Sequence, residues 1–187
     1  ETKLKIDQIT KKNEKKLNKA ARDTNFFLKN FLKKQKKTKL MDPIRYGLLP
    51  GGKKIRVKIL IDIGKILSVP YRYLIRIGAA IECIHAYSLI HDDLPCMDDD
   101  DLRRGKLTVH KKYGESTAVL AGNSLLTMAF EIISEKTFLI SDIKKNQLVN
   151  ILAASSGHTG IAGGQFLDLS FERKKISKSK ILEMQLN

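Results

Sequence analysis

The hydrophobic positions recur at helical spacing along almost the whole chain. Apolar residues three and four positions apart predict helices, and no segment shows a convincing alternation of apolar and polar residues that would predict a strand. The predicted helices cover residues 4–34, 54–67, 70–93, 115–135, 141–161 and 177–187. The pattern leaves open a break near Asn18, predicts turns at 35–39, 42–43 and 50–52, and assigns 94–114 to a loop. We therefore expect an all-α protein.

The helix boundaries carry their own local signals. Pro70 suits the first turn of a helix, where a missing N–H has no cost, and Ser141 or Asp142 can cap the helix that follows. The last predicted helix has only just begun when the sequence reaches Asn187, and the first residue is Glu1 rather than Met. We expect residues 1–187 to form one domain that is the N-terminal portion of a longer protein.

Composition narrows the class of protein. With 42% hydrophobic and 29% charged residues the chain can fill a core, so wholesale disorder is not expected. No apolar stretch reaches the roughly 18 uninterrupted residues of a membrane span, and the N-terminus lacks the apolar region of a signal peptide. Cys83 and Cys96 form neither a disulfide framework nor a zinc-binding spacing. We expect a cytoplasmic protein without a membrane span.

The net charge of +15 is concentrated near the N-terminus, where residues 1–40 carry 14 Lys and Arg against 4 Asp and Glu. A basic arm of this kind can bind nucleic acid. However, apolar residues lie among the lysines at helical intervals, which favours an amphipathic helix with a solvated basic face. We therefore do not expect nucleic acid as a partner.

The chemistry is concentrated in a short acidic segment. Residues 92–101 contain six aspartates within an otherwise basic chain. Adjacent carboxylates raise one another's pKa unless a cation or hydrogen bonds compensate, and the C-terminal end of a helix disfavours anions further. Because Leu94-Pro95 breaks the helix, Asp98 can fold back towards Asp92 and Asp93. Oxygen ligands without His or Cys favour Mg²⁺, although a solvated acidic loop is the alternative.

Basic residues flank this segment on both sides. Arg103 and Arg104 follow it directly and suit bidentate contacts with phosphate oxygens. Upstream, Lys53 and Arg56 follow two glycines at a predicted helix start, where backbone N–H groups also favour anions. His85 shares a helix face with Asp92, as either a ligand or a core residue. The pattern predicts two diphosphate groups brought together.

These motifs resemble the trans-prenyltransferase (polyprenyl synthase) family, most closely its bacterial farnesyl diphosphate synthases. The resemblance rests on Asp-Asp-x-x-x-x-Asp followed by Arg-Arg-Gly, on Gly-Gly-Lys-x-x-Arg upstream, and on Gly-Gly-Gln-x-x-Asp at 163–168. It implies a helical bundle of the isoprenoid-synthase type around a central cavity. It also implies a Mg²⁺-dependent transferase that joins isopentenyl diphosphate to dimethylallyl or geranyl diphosphate, giving farnesyl diphosphate.

The resemblance also implies a role for each matching residue. Asp92, Asp93 and Asp98 would hold Mg²⁺ against the allylic diphosphate. Arg103 would contact that diphosphate, with Gln165 and Asp168 nearby. The residues implied in binding isopentenyl diphosphate are Lys53, Arg56, His85 and Arg104.

Product length is expected to depend on Tyr87 and Ser88, which lie one turn before the aspartates. An aromatic residue at the position of Tyr87 resembles the fifteen-carbon enzymes of the bacterial branch, because a tyrosine there would block the cavity floor. A geranylgeranyl diphosphate synthase is the alternative within the family, since its members tend to have a smaller residue at this position.

The family's second aspartate-rich motif does not occur in this sequence, in which no Asp-Asp pair follows Asp101. We therefore expect the 187-residue chain alone to be inactive. A non-catalytic partner subunit and a terpene cyclase are the remaining alternatives. The first would usually lack the aspartate motif that is present here, and the second would not need Lys53 and Arg56 as a further diphosphate site. The family resemblance implies a homodimer.

Overall fold

The computed structural model describes residues 2–49 and 51–171. In these ranges the chain forms eight α-helices and one short β-hairpin between the fourth and fifth helices. The helices are α1 (Thr2–Lys34), α2 (Met41–Leu48), α3 (Ile55–Ile66), α4 (Tyr71–Asp92), α5 (Val109–Tyr113), α6 (Glu115–Ser134), α7 (Asp142–Ser156) and α8 (Ile161–Phe171), and the strands are β1 (Leu102–Arg103) and β2 (Lys106–Leu107).

Helices α4 and α6 pack along each other and form the centre of the bundle, with α1, α2 and α3 against α4. Their buried faces carry many alanines, and residues this small let two helix backbones approach closely. Larger side chains from α1, α2 and α6, such as Leu28, Ile44 and Leu125, complete this core. A smaller apolar cluster joins α1, α3 and α4 around Val57 and Leu74. Burying each such side chain contributes about 1.5–3 kcal/mol.

Both central helices are long and apolar enough to cross a membrane when judged by length and composition alone. The core helices of a folded protein meet the same criterion, and α4 and α6 carry their apolar residues into the shared core. The observation is therefore weak evidence for a membrane span.

The predicted helices at 54–67, 70–93 and 115–135 are confirmed, and Ser141 caps α7 by accepting the Lys144 N–H at 3.4 Å. Other sequence predictions need correction. Helix α1 continues through Asn18 without a break. The turn expected at 42–43 lies inside α2, because Pro43 falls in the first helical turn, where its missing N–H is not needed.

The region 94–114, predicted to be a loop, contains the β-hairpin and α5. The strands pair Leu102 with Leu107 and Arg103 with Lys106, and the turn residues Arg104 and Gly105 both have positive φ. The helix predicted to reach 161 ends at Ser156, where Gly157 is extended, and α8 begins after a short turn. The helix predicted at 177–187 lies outside the described residues.

Candidate active site

The carboxylates of the acidic segment gather at the C-terminal end of α4. Asp92 is the last residue of the helix, and the Asp98 N–H donates to the Asp92 carbonyl at 2.9 Å. Burial raises the pKa of the Asp92 carboxyl, and the negative charge of Asp98 raises it further. The predicted return of Asp98 towards Asp92 is therefore confirmed. The two carboxylates repel each other in a way that a bound cation would relieve.

Asp93 has a different environment from Asp92. It is buried, and its Oδ1 accepts from Nε of Arg103 at 2.7 Å and lies 2.5 Å from Nη2 of the same guanidinium. Burial raises the pKa of the Asp93 carboxyl, although Arg103 acts to lower it. Strand β1 thus holds Arg103 against the end of α4. There the Asp93 carboxylate orients the guanidinium beside the carboxylates of Asp92 and Asp98.

Helix α8 approaches the same cluster from the other side. The side-chain amide of Gln165 donates to Oδ1 of Asp92. Asp168, one turn further along α8, is exposed, and within residues 2–49 and 51–171 no ion pair or hydrogen bond joins it to the other predicted site residues. The structure therefore joins Gln165 to Asp92 by a hydrogen bond and shows no such contact for Asp168 among the described residues.

The four basic residues predicted to act together do line one cavity, of about 120 Å³. Lys53 lies just before α3 and Arg56 in its first turn, whereas His85 comes from α4 and Arg104 from the hairpin turn. Nη1 of Arg56 lies 3.3 Å from Nε2 of His85. The cavity adjoins a second one, of about 140 Å³, lined by Asp93 and Arg103 and sharing Arg104 with the first.

Gly52, directly before Lys53, leaves room for Arg104 to enter the cavity. Nη1 of Arg104 donates to the Gly51 carbonyl at 2.7 Å. Gly52 has a φ of +105°, and a Cβ there would lie 2.6 Å from Nη1 of Arg104. A side chain at position 52 would displace the guanidinium, so the position of Arg104 in the cavity requires a glycine here.

His85 is uncharged at neutral pH. Burial, and next the positive charge of Arg56, lower the pKa of His85 to about 4. Because a guanidinium can only donate, Nε2 of His85 accepts from Arg56, which leaves the proton on Nδ1. The imidazole thus adds a neutral polar group to a pocket in which the arginines and lysines supply the charge.

We expect His85 to remain neutral until the pH falls to about 4. Since an unperturbed histidine titrates near pH 6.5, the unfolded state binds the proton first, and the stability gained from neutral His85 is lost as the pH falls from about 6.5 towards 4. NMR titration of the ring nitrogens measures the pKa of His85 in the folded protein directly. Arg56→Gln removes the second cause and should raise the midpoint, and an unchanged midpoint would show that the charge of Arg56 does not lower this pKa.

Tyr87 and Ser88 have unequal environments. Tyr87 is buried, its hydroxyl lies 3.5 Å from the Ser156 carbonyl at the end of α7, and its ring packs edge-on against His91 at 5.6 Å. The Ser88 hydroxyl donates to the His85 carbonyl within the same helix. Tyr87 therefore reaches across the bundle, whereas the hydroxyl of Ser88 is satisfied within its own helix.

Comparison with known proteins identifies the family. A family model described as polyprenyl synthetase matches residues 37–186. The chain belongs to the polyprenyl synthetase family. The predicted family membership is thereby confirmed.

The relatives of this chain include bacterial farnesyl diphosphate synthases. It is 47% identical over 140 residues to the farnesyl diphosphate synthase of Escherichia coli, covering 74% of this chain and 47% of that protein. The corresponding enzyme of Haemophilus influenzae is 49% identical, with 76% and 48% covered. The chain thus spans about half the length of these curated relatives.

The fold agrees with this membership. A solved geranyltransferase from Legionella pneumophila superposes with a TM-score of 0.90 at 33% identity, covering 95% of this chain and 63% of that one. The predicted fold class, an all-α bundle of the isoprenoid-synthase type of which this chain forms a part, is confirmed.

One buried ion pair in the basic region was missed by sequence reasoning. Nζ of Lys54 lies 2.8 Å from Oε2 of Glu82, and both side chains are 5% exposed. Lys54, at the start of α3, has a left-handed backbone with a φ of 50°. The available signal was Glu82 itself, since a carboxylate among the apolar residues of α4 needs a cationic partner. The pair fastens the start of α3, between Lys53 and Arg56, to α4.

Proposed function

We propose that the protein joins isopentenyl diphosphate to an allylic diphosphate, dimethylallyl or geranyl, and forms farnesyl diphosphate. One observation carries the proposal. Helix α4 contributes His85 to the basic cavity and Asp92 to the carboxylate cluster, so the two sites lie next to each other. Asp92 lies seven positions after His85, which is about 10 Å along the helix axis. Two diphosphates can therefore bind side by side, each at a site suited to it. The names of the bacterial relatives support the same reaction.

The carboxylate cluster fits Mg²⁺. Asp92 and Asp98 offer oxygen ligands whose mutual repulsion a divalent cation would relieve, and Asp93 lies alongside in its ion pair with Arg103. Mg²⁺ bound there would neutralise the negative charge that develops on a leaving diphosphate. Gln165, which donates to Asp92, would hold that carboxylate in place for the ion.

The remaining steps follow from the chain's own residues. Arg103 stabilises the departing allylic diphosphate while the allylic C–O bond breaks. Lys53, Arg56 and Arg104 hold the second diphosphate, so that the isopentenyl double bond is positioned to attack the allylic carbocation, and this orientation lowers the entropic barrier. A new C–C bond forms, the intermediate loses a proton to the released diphosphate, and the apolar residues of the bundle exclude water that would quench the cation.

Product analysis of the full-length protein tests the proposal. The assay contains Mg²⁺, labelled isopentenyl diphosphate, and dimethylallyl or geranyl diphosphate. We expect a fifteen-carbon product that depends on Mg²⁺. A twenty-carbon product would indicate a geranylgeranyl diphosphate synthase instead, and no product would favour a non-catalytic partner subunit.

We expect the substitution Tyr87→Ala to lengthen the product. Tyr87 is buried between α4 and the end of α7, so its removal opens space below the aspartates into which a growing chain can extend. The variant should form twenty-carbon or longer products in the same assay. Tyr87→Phe, which keeps the aromatic ring, is the matched control and should retain the fifteen-carbon product. A fifteen-carbon product from Tyr87→Ala would exclude Tyr87 as the limit on chain length.

We further propose a cytoplasmic homodimer whose subunit contains residues 1–187 within a single prenyl synthase domain. The 187-residue chain by itself should be inactive, because the second aspartate-rich motif of the family does not occur in it. Comparing the turnover of this chain with that of the full-length protein tests this part of the proposal, and sedimentation of the full-length protein tests the oligomeric state.

A further inference from the structure

A second group of potential metal ligands lies at the base of the hairpin, and none of its members was predicted to hold the catalytic ion. It consists of Asp99, Asp101 and His110, each of which offers one ligand atom within 4.8 Å of the other two. Asp99 and Asp101 precede strand β1, and His110 follows strand β2. The three side chains therefore join the two ends of the segment that carries Arg103 and Arg104.

The environment of His110 indicates that one of its nitrogens is free to bind a ligand. The Thr108 hydroxyl lies 2.9 Å from the Asp100 carbonyl, which can only accept, and 3.1 Å from Nδ1 of His110. The hydroxyl therefore donates to the carbonyl and accepts from Nδ1–H. This chain of hydrogen bonds fixes the tautomer and leaves Nε2 with an unprotonated lone pair.

That lone pair is buried without a partner. His110 is 5% exposed, and Nε2 has no hydrogen bond to any described residue. A buried polar atom without a partner is energetically unfavourable and calls for an explanation. Asp99 and Asp101 each offer a carboxylate oxygen within 4.8 Å of a ring nitrogen of His110, and a cation held by these carboxylates would use the free lone pair.

We propose that Asp99, Asp101 and His110 form a second divalent-cation site, distinct from the Asp92–Asp98 cluster and selective for a first-row transition ion such as Zn²⁺. One imidazole nitrogen with two carboxylate oxygens favours such ions, whereas the all-oxygen cluster favours Mg²⁺. Ligand atoms around tetrahedral Zn²⁺ lie about 3.4 Å apart. The exposed Asp99 and Asp101 side chains can close from their present separation, and Asp101 would leave its 2.7 Å ion pair with Lys111.

The position of the site suggests what the ion would do. A cation that joins Asp101 to His110 would close the hairpin at its base, so that Arg103 and Arg104 are presented from a fixed loop. Binding of the metal does not depend on the proposed transferase activity, and the site can be tested without substrate.

The test is a Zn²⁺ titration of the full-length protein with excess Mg²⁺ present to occupy the all-oxygen cluster. NMR of the histidine ring nitrogens follows His110 directly, and calorimetry gives the affinity. We expect Zn²⁺ to shift Nε2 of His110 and not its Nδ1 proton. Asp99→Asn and Asp101→Asn should each weaken Zn²⁺ binding at least about tenfold. Residues that only hydrogen-bond to the ligands of a metal site already contribute about 10–100-fold to its affinity, so the loss of a direct ligand should cost at least as much.

Two further variants make the result specific. Asp100→Asn removes the intervening exposed carboxylate and should leave the affinity unchanged, whereas Lys111→Met frees Asp101 and should tighten binding. These substitutions are at exposed positions, so folding is preserved. The proposal fails if Zn²⁺ leaves the His110 nitrogens unshifted, or if Asp100→Asn weakens binding as much as Asp99→Asn does.

Discussion

The Asp92→Ala variant of the full-length protein should slow the proposed Mg²⁺-dependent condensation by about 10³-fold or more. The expected loss is large because Asp92 combines three features of a metal ligand. It ends α4 beside Asp98, it accepts a hydrogen bond from Gln165, and burial already raises the pKa of its carboxyl. Without Asp92, the proposed Mg²⁺ loses a ligand beside the leaving diphosphate, and Arg103 is left to stabilise that negative charge. Steady-state turnover with labelled isopentenyl diphosphate measures the effect.

The kinetic constants should separate the two diphosphate sites. In Asp92→Ala, kcat should fall, whereas the KM for isopentenyl diphosphate should change little, because Lys53, Arg56 and Arg104 remain in place. Asp100→Ala is a matched control, since it removes an exposed carboxylate from the same segment. Retention of wild-type kcat in Asp92→Ala would exclude Asp92 as a ligand of the catalytic ion.

The long helices could be predicted from the sequence because each buries one apolar stripe. In α4 and α6 this stripe recurs over five or more turns, which a local pattern captures well. The hairpin could not be predicted in this way, because each strand has only two residues. It is held by contacts that a pattern does not contain, such as Arg103 with Asp93 and the Thr108 N–H with the Asp101 carbonyl.

The candidate site divides along the same line. Residue type and spacing in short motifs predicted the chemistry of four residues. The structure places Asp92 beside Asp98 and Arg56 beside His85, as expected. The free nitrogen of His110 is different. It follows from hydrogen bonds that form only once the hairpin has folded, so no spacing in the sequence indicates it.

The pairing of Lys54 with Glu82 likewise depends on how α3 packs on α4. Breaking this pair is expected to have a large effect on stability. Both side chains are buried, and their charged atoms lie 2.8 Å apart. Removing one partner strands the other charge in the core, which costs about 3–5 kcal/mol. We therefore expect Lys54→Met and Glu82→Leu each to lower the free energy of unfolding by this amount, as measured by urea denaturation.

The double variant distinguishes a lost ion pair from a packing defect. When Lys54→Met and Glu82→Leu are combined, no unpaired charge remains, so most of the lost stability should return, because apolar residues often replace a buried pair at little cost. Lys53→Met, at the exposed neighbouring position, should change stability by less than about 0.5 kcal/mol. Additive losses in the double variant would show that the two charges are not coupled.

Even with its stability restored, the double variant should bind isopentenyl diphosphate more weakly, because the charged pair that fixes the start of α3 between Lys53 and Arg56 is gone.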